Sequence, residues 1–277
     1  MTRGSRSALG AIAFVSLLWL GHAAADGLPD VLGIRLAMPL KDARAQLQAQ
    51  LPKNRMVEQT MILPTIDRPV VNSLSSGPAG SVSISDEADY VIVDVTTPPN
   101  EQIVWRVVRR HTFADRGIPK ATLLASLREK YGKETAANLG RAAAANDSQI
   151  STLLWFLDEQ GRPAALATGD KYQAMLIVST CNDNGTPRTL DLVEVYATLY
   201  KGKNPQQDWC YAHYTAVYAT VSESSPPELY SEMNIEVVSS PMAFRAAEAS
   251  AKWKKGLEEQ QHKQELEKAS QQAKPKL

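Results

Sequence analysis

Cysteine is scarce in this chain. Only Cys181 and Cys210 occur, too far apart for a CxxC redox pair or a compact thiolate metal cage. Histidine is nearly as rare. Beyond residue 25 it stands only at His111, His213 and His262, with no HExxH or related spacing, so no metal centre is legible. The signatures of serine nucleophiles are missing too, with no GxSxG anywhere and no SxxK after the leader. No glycine-rich loop stands between a strand and a helix to cradle phosphates, and nothing implies a cofactor. Basic excess is absent, because 30 lysines and arginines face 30 acidic residues, and a nucleic-acid partner needs a concentrated positive surface. No apolar run reaches the ~20 residues that a membrane-spanning helix requires.

What is present begins with an export leader. Arg3 and Arg6 precede the 13 apolar residues Ala8 to Leu20, and Ala23-Ala24-Ala25 supplies small residues before Asp26. Residues 1–25 are therefore expected to be a signal peptide cleaved near Ala25. The mature protein is expected in a bacterial periplasm or outside the cell, without a membrane span. Losing Arg3 and Arg6 from 30 basic residues leaves 28 against 30 acidic, a slightly acidic mature chain. In that compartment Cys181 and Cys210 are expected to form a structural disulfide. Closing a loop of about 30 residues contributes roughly 3.5 kcal/mol in the chain-entropy model.

Two helices are legible from periodicity. Leu36, Leu40, Ala43, Leu47 and Leu51 recur at helical spacing, with Pro39 in the first turn and Pro52 past the end. Ile118, Leu123, Leu124, Leu127 and Tyr131 line a second helix, with Pro119 near its start and Gly132 as its C-cap. Strand patterns lie between and after them: 68–74, 81–84, 89–95, 101–111, 152–157 and 229–238. Pro98-Pro99-Asn100 joins two of these as a hairpin. The block from Lys171 to Val221 reads as three adjacent antiparallel strands, with Asn184-Gly185 as a hairpin turn and the disulfide tying two connections. Ser240 and Pro241 open a terminal helix whose stripe, Met242, Ala246, Ala249, Trp253 and Leu257, docks while its Glu/Gln/Lys end projects or frays.

The expected fold is α+β: a mainly antiparallel sheet, two packed amphipathic helices in two weakly similar α-then-β units, and a C-terminal helix. Residues 26–112 form the first unit, 113–239 the second with the disulfide, and 240–277 the terminal helix. The opening of the first unit, Gly33-Ile34-Arg35-Leu36-Ala37-Met38-Pro39-Leu40 followed by Ala43 and Leu47, resembles one repeat type. It is that of exported proteins of the SmpA/OmlA outer-membrane-lipoprotein and β-lactamase-inhibitor-like kind. In the second unit, Leu127 with Lys130-Tyr131-Gly132 resembles the helix ends of periplasmic proteins with this layout. Ala37 departs from the pattern where a glycine is expected, Pro39 where Ser or Thr caps, and no lipid-bearing cysteine is present. The resemblance covers 30 to 40 residues and implies interaction with another protein rather than catalysis.

Two clusters are candidates for a partner surface. Arg106 and Arg110 share one face of a strand around Trp105, with Trp105 and Arg109 on the other face. Tyr214 and Tyr218 share a face of the third strand of the disulfide block, which also carries Trp209, Tyr211 and His213. The expected function is that of an exported, non-enzymatic binding or envelope-accessory protein whose partner is another envelope protein. One alternative is a hydrolase-type site assembled from distant residues, with His111 or His213 as its base. Another is a secreted inhibitor that presents Thr97-Pro98-Pro99-Asn100 as a protruding loop. The carboxylate pairs Asp86/Glu87 and Asp158/Glu159 read as solvated turns.

Overall fold

Two proline-capped helices lie on one broad sheet in a computed structural model that describes residues 27–62, 69–78, 87–138, 150–164, 181, 201–203 and 205–272. Helix α1 is Leu40–Gln50 and α2 is Lys120–Tyr131, with Pro39 and Pro119 as N-caps and no side-chain cap on either. A proline at that position has no N–H to satisfy. The first helical N–H of each is met by backbone instead: Leu40 N donates to Gln102 O at 2.8 Å, and Lys120 N to Glu228 O at 3.1 Å. Gly132 ends α2 at φ +79°, the left-handed region in which glycine carries no Cβ penalty.

The first strands, β1 (Asp30–Val31) and β2 (Ile34–Arg35), form a small antiparallel pair. The main sheet comprises β3 (Arg55–Ile62), β4 (Pro69–Gly77), β5 (Ala88–Val95), β6 (Val104–Thr112), β7 (Ile118–Pro119), β8 (Ala136–Ala137), β9 (Thr152–Leu157), β10 (Thr215–Glu223) and β11 (Leu229–Ser239). Its order is β3-β4-β5-β6-β11-β10-β9-β8, all neighbours antiparallel, with β7 also pairing to β11. The remaining helices are α3 (Pro205–His213) and α4 (Ser240–Gln272). No helix among the described residues is long and apolar enough to cross a membrane.

The two units are related by their pairing. Pro39 bridges to Ile103 just before β6, and Pro119 pairs with Leu229 at the start of β11, offsets of 80 (119−39) and 126 (229−103). Leu40, Ala43 and Leu47 of α1 thereby match Lys120, Leu123 and Leu127 of α2, all of them buried. The central β6–β11 pairing keeps the same relation, because Thr112 pairs with Glu232 and Arg106 with Val238, pairs that the 126-residue offset exchanges. Both helices then cover one face of the sheet. Leu47, Leu124 and Leu127 pack there on Val91, Val93, Val107, Val217, Ile235 and Val237.

The block ending at Val221 differs from its expected form. Residues 205–213 are helical, and the strand begins only at Thr215. The Tyr211–His213–Thr215 alternation resembles a strand, but Cys210, Tyr211 and Tyr214 bury together at helical spacing. Pro205 suits a helix start, and the Asp208 carboxylate in the first turn accepts the Gly202 N–H at 3.0 Å. The Cys181–Cys210 disulfide is present, with one end on this helix rather than in a connection between strands. The expected strands within 171–200, the Asn184-Gly185 turn and the strand at 81–84 lie outside the described residues.

Candidate functional site

The second face of the sheet is where the units differ. Over β9, β10 and the end of β11, helices α3 and α4 seal it. Cys210, Tyr211, Ala243 and Ala247 pack there with Leu154, Phe156, Ala216 and Val238. Over β3 to β6 the same face carries Tyr90, Ile92 and Val57, each between 40 and 45% exposed. Pairing places Val57, Ser75, Ile92 and Val108 in one row across four strands, with Tyr90 and Arg110 paired in the next row. A solvated face of an antiparallel sheet is ordinarily polar, whereas here Ser75 and Arg110 share it with three exposed apolar or aromatic side chains. It is a largely apolar strip that ends at the Arg110–Glu232 ion pair.

The boundary between the halves is a buried ion triad. Arg106 donates Nε to Glu236 at 2.5 Å and Nη1 to Asp94 at 2.8 Å. Burial raises the Asp94 carboxyl above its ordinary range, outweighing the charge and hydrogen bonds of Arg106. Arg106 is therefore consumed within the fold and is not surface for a partner, which corrects the expectation from its strand position. Arg110 does point outward, 61% exposed and paired with Glu232 at 2.6 Å. Trp105 is also displaced from its expected face. The register shift opposite Asp94 and Val95 makes a bulge, so Trp105 packs into the α3/α4 core on the same side as Arg106.

The expected tyrosine pair divides. Tyr214 is fully buried, tilted against Phe156 with ring centroids 6.4 Å apart, so it is core and not a partner surface. Tyr218 is half-buried at the margin of that core. Among the described residues, the tyrosine that faces solvent is Tyr90, 45% exposed. Its signal is the alternation Tyr90-Val91-Ile92-Val93, in which both sets are apolar. The 97–100 loop does not protrude. Thr97 is buried, Asn100 Nδ2 donates to Ala246 O at 3.0 Å, and the Ser250 hydroxyl of α4 donates to Pro98 O at 2.7 Å.

The two histidines named as bases sit in different surroundings. His213 is on α3 beside an open cleft of about 560 Å³ lined by Phe156, Asp158, Glu159, Trp209 and Ala164. Asp158 there is tied to Arg162 and Glu159 to Arg245. His111 is buried, edge-on to Phe113, with Nδ1 3.0 Å from Asp89 and Nε2 3.5 Å from Glu87. Asp89 also accepts both Nε and Nη2 of Arg109, at 2.6 and 3.0 Å. Burial raises its carboxyl, but the His111 and Arg109 hydrogen bonds and charges prevail and hold it down at about 2. Neither histidine has a serine hydroxyl bonded to it among the described residues, so no hydrolytic triad is assembled there.

Glu87, Asp89 and His111 are the group that sequence reasoning missed. In the sequence Glu87 reads as part of a solvated turn and His111 belongs to no metal motif, because more than twenty positions separate them. The β5–β6 register that pairs Asp89 with His111 brings them together. No family model, curated protein or solved structure matches this chain.

Proposed function

We propose that this is an exported binding protein, cleaved near Ala25, whose bare half-sheet docks another protein of the cell envelope. One observation carries the reading: Val57, Tyr90 and Ile92 stand exposed on a face that the related unit closes with two helices. An apolar strip of this kind, ended by Tyr90 and Arg110, has the composition favoured at protein interfaces. The disulfide is compatible with an extracytoplasmic compartment, where such bonds persist. The resemblance of the Gly33–Leu47 stretch to envelope repeats that act by interaction agrees with it.

A photo-crosslinking amino acid placed at position 92 or 90 tests the proposal in the exporting cell. The expected result is one identified envelope protein joined from both positions and not from position 41, on the exposed side of α1. Substituting Val57→Asp should remove the adduct without altering the circular dichroism spectrum. No adduct from either position, or the same adduct from position 41, would overturn the assignment.

A further inference from the structure

The strand-end cluster has a chemistry that the bare face does not use. We propose that His111 Nε2 and Glu87 Oε1 bind a divalent transition-metal ion of the zinc class, with Asp89 as the positioning residue behind the histidine. Two contacts bear on which nitrogen is available. Nδ1 lies 3.0 Å from Asp89 Oδ1 and 3.4 Å from Arg109 Nη2, and the shorter one, to the carboxylate, sets the tautomer. Asp89 is held as a carboxylate by two hydrogen bonds from Arg109. An ionised carboxylate only accepts, so Nδ1 carries the proton and donates it. In the neutral ring this leaves the lone pair on Nε2, the arrangement in which a second carboxylate sets the tautomer of a metal-binding histidine. Phe113, 4.6 Å away and edge-on, holds the ring plane.

Nε2 then faces Glu87. Their separation is 3.5 Å and they form no hydrogen bond. Two ligands on a tetrahedral ion with bonds of about 2.0–2.1 Å stand about 3.3–3.4 Å apart, so an ion fits between them with a small adjustment of Glu87. Glu87 makes that adjustment readily, because it precedes β5 and its side chain is 63% exposed. It also gives the entry path to a histidine that is only 6% exposed. Arg109 balances the charge of Asp89, so the ion meets a net charge of about −1 from Glu87, and two waters would complete a four-coordinate sphere, with one protein ligand fewer than an open zinc site usually has. One imidazole with one carboxylate selects zinc, copper, nickel or cobalt over magnesium and calcium, which favour all-oxygen sites. The bound ion would clasp the open end of the β5–β6 hairpin on the helix-covered side, opposite the face that carries Tyr90 and Arg110.

The test uses the purified chain without a histidine tag. Isothermal titration with Zn²⁺ should give one site per chain, with Mg²⁺ giving none, and Zn²⁺ should raise the melting temperature. Glu87→Gln, at an exposed position that leaves folding intact, and His111→Gln should each weaken binding at least tenfold. Asp89→Asn should weaken it 10- to 100-fold, the range for orienting partners of a metal-bound histidine. His213→Gln and His262→Gln should bind as the parent does. No Zn²⁺ uptake by the parent, or unchanged uptake by the folded Glu87→Gln variant, would overturn the site.

Discussion

The two units carry matching helices on one face of the sheet and differ on the other. Over the second unit, α4 brings Ala243 and Ala247 against Ala216 and Val238, and α3 adds Tyr211 and the disulfide. Over the first unit, Ile92 and Tyr90 keep 40 and 45% of their surface in water. The Asp94–Arg106–Glu236 triad stands at the border, where the cover ends. Among the described residues no helix lies over the second face of the bare half, and an antiparallel sheet can leave one face solvated. The apolar residues there are a surface.

The comparison breaks most visibly at the disulfide. Reducing Cys181–Cys210, or replacing both by alanine, should cost about 3.5 kcal/mol in denaturant unfolding through the chain-entropy term. The loss should concentrate in the covered half: hydrogen exchange should accelerate in α3 and β10 well before β4 and β5. Uniform acceleration would mean that the two halves do not differ in local stability. Next in size are single truncations on the shared face. Leu154→Ala, at a fully buried position, should cost about 3 kcal/mol, whereas Ile92→Ala should stay within about 0.5 kcal/mol. Equal costs would mean that Ile92 is covered in solution.

A smaller effect separates the carboxylates on the two sides of β5. The Asp89 carboxyl is held at about 2 against an ordinary 3.8, so its contribution is full above about pH 4 and disappears as pH falls toward 2. Asp94 is raised by burial and so acts with the opposite sign, favouring the folded state as it protonates. Allowing for solvent screening of Asp89, the Asp89→Asn variant should be about 1–2 kcal/mol less stable than the parent at neutral pH. That gap should close between about pH 4 and pH 2. A constant gap in pH-dependent urea unfolding would show that the carboxylate charge is not what stabilises.

Periodicity made much of this molecule legible. The spacings of Leu40, Ala43 and Leu47, and of Leu123, Leu124 and Leu127, give both helices, because one stripe of each faces the sheet. The strands β5, β6, β9 and β11 follow from short apolar or alternating runs bounded by turns. The short α3 helix escaped because nine residues hold only about two and a half turns, and its Tyr211–His213 alternation reads equally as a strand. Trp105 escaped because a bulge shifts the face of every residue before it. The Glu87–Asp89–His111 group depends on long-range register, which no local pattern encodes.

The smallest prediction concerns the entry to the two helices. Two residues before each capping proline the chain takes a positive φ, +61° at Ala37 and +108° at Gly117. At Gly117 a Cβ would stand 2.2 Å from the Tyr230 carbonyl oxygen, so only glycine fits. Ala37 holds its own turn by donating its N–H to Val104 O at 2.8 Å, but its methyl is exposed and adds no core contact. An L-residue in the left-handed region costs on the order of 1 kcal/mol, partly offset by the greater unfolded-state entropy of glycine. Ala37→Gly should therefore stabilise the chain by no more than about 0.5 kcal/mol, read as a slightly higher urea midpoint at unchanged slope. An unchanged or lower midpoint would mean that the first unit tolerates alanine there without strain, and that the glycine expected from its repeat resemblance answers to some need other than this turn.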